Sequence, residues 1–370
     1  MRKWKHYVGT VTLFFALSMS TPPTPAGDLL SADAYPNPSF SLSSVNACFF
    51  APPAPWGSVW PLAPTGRPHP IRGSLNEPRG NSPHFGVDVE AMVNRAPVYA
   101  ISSGIVSALK RRAGHVSIKV VGQNHFFQDW HVAPLAALHR YSRIEAGQLI
   151  GRVQTVYYHV HVSEFYRPCG WINPMRPGGA LYVKANTEKP DIGPLYAYEA
   201  NDAAFRSFIA DANPADQTDS STPLKLDDLH GVVDLRAAVW DWPDRQMAAR
   251  PQMDLEPAAI RAYLAPRFDP YEHVSRIKHV YDGATLLVPS RWATTIWHIW
   301  AFGTWRDCQC YFESGVHPRS QCGADYVWHV GGTRGLHTAR YRNGPYQYCV
   351  DALTINGRSR AKCTPVVIRN

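Results

Sequence analysis

The chain has 370 residues, and its 37 lysines and arginines outnumber 29 aspartates and glutamates, which gives a formal net charge of +8. Hydrophobic residues make up 45% of the chain, and its length is sufficient for two folded domains. No basic stripe interleaved with aromatic residues indicates a nucleic-acid surface. The sequence has no P-loop, GxSxG, GxGxxG or HExxH motif, which argues against an NTPase, a serine hydrolase, a dinucleotide enzyme and a thermolysin-type peptidase.

The N-terminus has the pattern of a secretory signal peptide over residues 1–26. Basic residues precede a short apolar stretch from about Tyr7 to Met19, and small residues follow it, as in cleaved export signals. The stretch is shorter than the roughly 20 apolar residues that span a bilayer. We therefore predict export without stable membrane insertion, with an uncleaved anchor as the alternative. Residues 27–55 are rich in proline and serine and indicate an extended arm.

Two histidines one residue apart, His159 and His161, are the strongest chemical signal in the chain. On a β-strand, residues i and i+2 point to the same face of the sheet. The two imidazoles are therefore expected in one pocket, with Val160 and Val162 facing a core. Two histidines on one face suit a metal site or a pair of catalytic bases, although structural histidines also produce this pattern.

A candidate site is completed by His84, Asp88 and His131, which all precede the histidine pair in the sequence. His84 and Asp88 lie four positions apart around Gly86, whose turn would let both side chains approach one ion. With one histidine of the pair they make three ligands, the number that a catalytic zinc uses when its fourth position is kept for water. His131 lies between these segments in a stretch rich in strand formers. Any one of these histidines alone is better explained as a structural or solvated residue, but the ordered set favours a metal centre.

In this order, the residues resemble the M23 (lysostaphin/LytM-like) zinc metallopeptidases, which cut peptidoglycan peptides. The resemblance covers roughly residues 56–180 and includes the HxxxD stretch from His84 to Asp88. Other stretches that carry it are Trp60-Pro61-Leu62, His69 to Gly73, Ala96 to Ala100, Gly104 to Val106, Glu145 to Gly151 and Asn173-Pro174. The resemblance implies an antiparallel β-sheet peptidase domain over residues 56–185, with the site in a surface groove. Strands are expected at Val116 to Val120 and Leu149 to Val153.

The resemblance also implies roles for individual side chains. His84, Asp88 and His161 would bind Zn²⁺, the expected cofactor. His159 would be a catalytic histidine and His131 its partner. The implied activity is that of an exported, periplasmic or extracellular zinc endopeptidase, in which a zinc-activated water hydrolyses amide bonds of a peptidoglycan peptide substrate.

Two departures from the family pattern leave an alternative open. Tyr157 and Tyr158 precede the histidine pair where small residues are usual, and Asp129-Trp130-His131-Val132 stands where Tyr-x-His-Leu is usual. Because bulky tyrosines could close the groove, the alternative function is a non-hydrolytic M23-like scaffold or wall-binding regulator of other hydrolases. A peptidase acting on a protein outside the wall fits the sequence as well, and the pattern predicts no oligomeric state.

Seven cysteines in an exported chain point to disulfides. Cys48 and Cys169 flank the candidate catalytic region, and a bridge between them would tie the arm to the segment after the histidine pair. Cys349–Cys363 is expected across a hairpin that turns near Asn356 and Gly357. The remaining three cysteines have poor spacing for a zinc knuckle and cannot be paired from the sequence: Cys308, Cys310 and Cys322.

From residue 186 to 370 the composition changes, and short runs with period-two alternation favour a β-sandwich of immunoglobulin or fibronectin type. Expected strands are Pro194 to Tyr198, Val233 to Val239, Thr295 to Trp300 and Tyr346 to Ala352, with an internal loop around 202–228 and one short helix near Phe205–Ile209. The tryptophans of this part suit either the sandwich core or stacking on sugars: Trp240, Trp242, Trp292, Trp297, Trp300, Trp305 and Trp328.

Overall fold

A computed structural model gives the structure of this chain. The described residues are 53–79, 82–91, 93–182, 189–200, 223–241, 257, 259–268, 278–282, 305–306, 324–325, 327–331 and 335–370. The predicted signal peptide, the arm before residue 53, the short helix near Phe205–Ile209 and the strand from Thr295 to Trp300 lie outside them. Within the described part, no helix is long and apolar enough to cross a membrane.

The described elements are β-strands and one short 3₁₀ helix, and all strand ladders between them are antiparallel. The strands of the first half are β1 (Ile71–Gly73), β2 (Pro78–Arg79), β3 (Ser82–Pro83), β4 (Val87–Glu90), β5 (Pro97–Tyr99), β6 (Gly104–Lys110), β7 (His115–Lys119), β8 (His125–Trp130), β9 (Val132–Pro134), β10 (Arg143–Ile144), β11 (Leu149–Val153), β12 (His159–Tyr166) and β13 (Gly170–Ile172). Those of the second half are β14 (Asp191–Glu199), β15 (Val232–Trp240), β16 (Ala259–Pro266), β17 (Lys278–Asp282), β18 (Trp305–Arg306), β19 (Ala324–Asp325), β20 (Val327–His329), β21 (Leu336–His337), β22 (Gly344–Leu353) and β23 (Ser359–Ile368), with the 3₁₀ helix at Thr338–Arg340. The mainly β, antiparallel fold class predicted from the sequence is confirmed.

The first half contains a large sheet, a small sheet and the two-stranded pair β2-β3. The large sheet has the order β1-β4-β12-β8-β7-β6-β10, with β13 paired to β12, and the small one has the order β5-β11-β9. Apolar side chains from both sheets form one buried core, because alternate residues of each strand point to the same side. This core includes Val87, Val89, Val98, Val116, Ile118, Phe127, Ile150, Val153, Val160 and Val162.

The second half is a β-sandwich. One sheet has the order β14-β15-β20, with β21 paired to β15, and the other has the order β17-β16-β22-β23. A second core lies between them, and Trp328 is part of it with its Nε1 donating to Val239 O at 2.7 Å. Tyr346 donates its hydroxyl to Arg342 O at 2.7 Å, which resembles the tyrosine corner of immunoglobulin-like sandwiches. Of the two roles open to Trp328, the structure shows the core role.

Several expectations about elements are confirmed. The strands expected near Val116, Leu149, Val233 and Tyr346 are β7, β11, β15 and β22, and the strand expected at Pro194 lies within β14. Cys349 pairs with Cys363 in the ladder between β22 and β23, and the two form a disulfide. Cys169 is disulfide-bonded as well, while Cys48, its predicted partner, lies outside the described residues. The boundaries 56–185 and 186–370 remain a prediction.

Candidate metal centre

The candidate site lies on the face of the large sheet that points away from the core. Strands β4 and β12 are antiparallel neighbours, and their register places Asp88 opposite His161 and Glu90 opposite His159. Val160 and Val162 point into the core from the other face and are fully buried. The alternation expected for the histidine pair is therefore present, and the strand pairing adds Asp88 to the same face.

Three of the sequence-predicted side chains converge at this position. His84 Nε2 lies 3.2 Å from Asp88 Oδ1 and 2.7 Å from His161 Nδ1. His161 Nδ1 is 3.2 Å from the same carboxylate oxygen. The three residues expose only 4%, 1% and 4% of their surfaces, in the order His84, Asp88, His161. Among the described residues this is a group whose ligand atoms can hold one metal ion.

Contacts on the far side of each ring orient the donors. His84 Nδ1 lies 2.7 Å from Ser74 O, and because a carbonyl only accepts, this nitrogen carries the proton and leaves a lone pair on Nε2. His161 Nε2 contacts Ser163 Oγ at 2.8 Å, which turns Nδ1 toward Asp88. Such outer contacts are typical of histidines that bind metals. A cation between these closely spaced lone pairs and the carboxylate would stabilise all three, and the donor set fits zinc.

His159 lies beside the three donors with its Nε2 3.5 Å from Asp88 Oδ1. Its Nδ1 is 2.5 Å from the carbonyl oxygen of Tyr157, so Nδ1 carries the proton and Nε2 is the basic nitrogen. Burial holds the pKa of His159 well below its ordinary value; the charge of Asp88 opposes this shift and that of Arg72 adds to it. The ring is therefore neutral at neutral pH, as a proton acceptor must be.

His131 reaches the site from the residue after β8. Its ring centroid is 4.7 Å from that of His159 and 6.2 Å from that of His161. The backbone of His131 has a φ of 64°, in the left-handed region where a non-glycine residue is uncommon. Its carbonyl accepts the N–H of Gln154 at 2.7 Å, which holds this conformation. All five residues predicted for the site are therefore brought together, and their metal and catalytic roles remain predictions.

Gly86, within the HxxxD stretch, passes directly over the site. A Cβ built at this position would contact the carbonyl oxygen of Val162 and would lie 2.6 Å from His161 Nε2 and 2.8 Å from Ser163 Oγ. No side chain fits there without moving His161 or the strand behind it. The glycine therefore lets the chain carry His84 across β12 and back to Asp88.

Several neighbours of the site were missed by sequence reasoning. Phe85 packs its ring 4.4 Å from His161 and 5.8 Å from Trp130, and Trp171 lies 6.0 Å from Phe85. These rings are half-buried and form an aromatic wall beside the candidate metal ligands. Phe85 directly follows His84, but no spacing rule distinguishes a wall residue from a core residue. Trp130 and Trp171 belong to β8 and β13, and only the sheet order shows that these two strands both neighbour β12.

The buried ion pair of Arg72 and Glu90 was missed as well. Arg72 Nη1 lies 3.8 Å from Glu90 Oε2 and 3.4 Å from His159 Nδ1. Glu90 could have been found, since it lies two residues after Asp88 and therefore on the same strand face. Arg72 comes from β1, and only the pairing of β1 with β4 brings it to the site.

No protein-family model matches this chain, and a search of curated proteins finds no match. Solved structures do show partial similarity. A Helicobacter pylori Csd3 structure is 24% identical over 34% of this chain and 33% of that chain, with a TM-score of 0.26. A zinc-containing peptidase from Vibrio cholerae is 18% identical over 34% of this chain and 40% of that chain, with a TM-score of 0.27.

The catalytic domain of the antimicrobial peptidase lysostaphin from Staphylococcus simulans is 24% identical over 25% of this chain and 76% of that domain, with a TM-score of 0.22. Of the first two proteins, this chain spans only part of the length: about a third of the Helicobacter pylori protein and 40% of the Vibrio cholerae peptidase. Because these TM-scores are below 0.5, a functional assignment has to rest on the residues and geometry of the site itself.

Proposed function

We propose that this protein is an exported zinc endopeptidase that hydrolyses amide bonds in peptidoglycan peptides. The observation that carries the proposal is the convergence of the His84, Asp88 and His161 donor atoms, 2.7 to 3.2 Å apart. His159 and His131 lie beside these donors, and the sequence resemblance implies catalytic roles for both. Metal ligands beside two groups that can accept or donate a proton are suited to metal-assisted hydrolysis of an amide.

In this proposal each side chain has a defined task. His84, Asp88 and His161 would hold the zinc, which when bound supplies activation of water at neutral pH and polarisation of the scissile carbonyl. His159 takes a proton at Nε2, because its Nδ1–H is held by Tyr157 O. A ring N–H of His131 stabilises the negative charge that develops on the carbonyl oxygen. Proton transfer of this kind typically contributes about 10² to 10⁴ in rate, and one donor to the developing oxyanion about 10² to 10³.

The substrate class is inferred from the sequence resemblance, together with two features that are compatible with it. The resemblance places residues 56–185 as the peptidase domain, and the signal pattern over residues 1–26 directs the protein to the compartment of the cell wall. The positive net charge of the chain suits a polyanionic wall. In this scheme the β-sandwich of residues 186–370 is an accessory domain.

The decisive experiment combines zinc content with digestion of purified peptidoglycan in three proteins: the wild type, His159→Ala and His161→Ala. We expect the wild type to bind one zinc ion and to digest the wall. His161→Ala should lose both zinc and activity, because it removes a ligand. His159→Ala should retain zinc and lose activity, because it removes the proton acceptor and no ligand.

Two outcomes would contradict the proposal. Wild-type protein without stoichiometric zinc would eliminate the metal centre. Zinc-loaded wild type that leaves all muropeptides and glycine-rich peptides intact, yet co-sediments with wall sacculi, would support the non-hydrolytic scaffold instead. His230→Ala is the matched control, since the side chain of His230 is 61% exposed and lies in the second half of the chain. It should retain zinc and activity.

A further inference from the structure

Tyr157 contacts both histidines that flank the candidate metal centre. Its ring stacks on the ring of His131, with centroids 3.7 Å apart and an angle of 20° between the planes. Its backbone carbonyl accepts the Nδ1–H of His159 at 2.5 Å. The same ring also meets His159 edge-on at 6.0 Å. One residue thus restrains one histidine through its side chain and the other through its backbone.

The turn that carries Tyr157 is itself tied to His131. The N–H of Tyr157 donates to Gln154 O at 3.1 Å, and the N–H of Gln154 donates to His131 O at 2.7 Å. The next residue, Tyr158, has a left-handed φ of 51°, and its carbonyl accepts the N–H of Ala91. The turn between β11 and β12 is therefore anchored on both sides, so the ring of Tyr157 stacks from a fixed backbone.

We infer that Tyr157 is a positioning residue that holds the His131 ring in its place beside His159, and not a plug that closes the groove. This inference rests on the proposed function, because it assigns Tyr157 a role in that same hydrolytic site. Stacked aromatic rings have preferred geometry beyond simple burial. A flat ring parallel to an imidazole fixes the plane in which its nitrogens lie, which an aliphatic side chain cannot do.

The test compares Tyr157→Ala and Tyr157→Phe with the wild type in hydrolysis of a soluble muropeptide. Misplacing a catalytic group by about 1 Å can reduce turnover about 100-fold, so we expect Tyr157→Ala to lower kcat about 10- to 100-fold with little change in KM. Tyr157→Phe keeps the stacking ring and should restore wild-type kcat. Zinc content should be the same in all three, since Tyr157 offers no ligand. Tyr141→Ala is the control, because Tyr141 is 68% exposed and its ring lies under Arg140.

A second readout does not depend on activity. In metal-free protein labelled on histidine rings, a tyrosine ring stacked at 3.7 Å shifts the ring-proton NMR signals of His131 upfield. These signals, identified by their loss in His131→Ala, should move in Tyr157→Ala and stay in Tyr157→Phe and Tyr141→Ala. If Tyr157→Ala does not fold, Tyr157→Leu replaces it, since leucine keeps apolar bulk but has no stacking face.

The possible results separate the inference from the proposed function. A wild type that does not hydrolyse any muropeptide contradicts the proposed function, while the NMR shift still reports whether the ring contact exists. An active wild type with a fully active Tyr157→Ala, or an unmoved His131 signal, overturns the positioning role. Faster hydrolysis by Tyr157→Ala would show that the tyrosine blocks the groove.

Discussion

Asp129 is a buried carboxyl that the proposed chemistry does not use. It lies on β8, on the face that points into the core, between Val116 of β7 and Val162 of β12. It is fully buried, and neither of its oxygens has a hydrogen-bond partner in the described part of the chain. Burial raises the pKa of Asp129 from 3.8 to about 8, because an ionised carboxylate is strongly disfavoured in an apolar interior.

This raised pKa makes the stability of the protein depend on pH. Below pH 3.8 the carboxyl is protonated in both states, but between pH 3.8 and about 8 only the unfolded chain releases the proton. The free energy of unfolding contributed by Asp129 therefore falls as pH rises through this window, at most by about 1.4 kcal/mol per pH unit. An asparagine side chain cannot ionise, so the stability of Asp129→Asn relative to wild type should increase between pH 5 and pH 8.

Chemical denaturation of both proteins at the two pH values measures this difference. The control is Asp228→Asn, because the side chain of Asp228 is 56% exposed and its substitution should show no such pH dependence. A stability difference between Asp129→Asn and wild type that stays constant with pH would mean that Asp129 is ionised in the folded state.

At the scale of single residues, the sequence predicts which side chains share a strand face, because this depends only on local periodicity. The shared face of His159 and His161 follows from the two-residue repeat of a strand, and Asp88 was expected from its spacing to His84. The lack of a hydrogen-bond partner for the Asp129 carboxyl within the described residues could not be predicted. The stacking of Tyr157 on His131 could not be predicted either. Both depend on which strands become neighbours, which one sequence does not specify.

At the scale of elements, a buried ion pair fastens β12 to the segment that follows β13. Arg176 donates from Nη1 to Glu164 Oε2 at 2.7 Å and from Nη2 to Glu164 Oε1 at 2.9 Å. Both side chains are fully buried. His125 of β8 lies 3.4 Å from the same carboxylate. This contact holds the far end of the strand whose other end carries His159 and His161.

Removal of one member of this pair should be costly. Arg176→Ala leaves the Glu164 carboxyl buried without its cation, and such changes typically destabilise by about 3–5 kcal/mol. The double variant Glu164→Leu with Arg176→Met replaces the pair by apolar groups of similar size, and it should recover most of that loss. Urea denaturation of the three proteins provides the measurement. Equal stability of wild type and Arg176→Ala would show that the pair contributes little.

Some of the strands could be predicted from the sequence and others could not. Strands with clear alternation or a bounded apolar run, such as β11 and β15, were found within a residue or two of their ends. The hairpin near Gly357 was found as well, because a glycine with a φ of 75° suits such a turn. Two-residue strands such as β10 and β21 carry no periodicity and exist only through their partners.

For the whole molecule, the important feature is that the two hydrophobic cores are built from two ranges of the sequence that do not overlap. The first is built from residues between Trp60 and Leu181, and the second from residues between Ile192 and Ile368. All five predicted site residues belong to the first half. A domain boundary near residue 186 was expected from the change in composition and stays a prediction, whereas the strand order of each sheet required the structure.

If each half buries its own core, the first half should fold and bind metal alone. We expect a fragment of residues 27–185, which retains Cys48 and Cys169, to unfold in one cooperative transition and to bind one zinc ion per chain. The same fragment with His161→Ala should fold but lose the zinc, which separates a folding defect from a ligand defect. A fragment that is unfolded by circular dichroism, while residues 27–370 bind zinc, would mean that the site depends on the sandwich. The sandwich would then belong to the same folding unit as the first half, because a domain requires a core that is sufficient by itself.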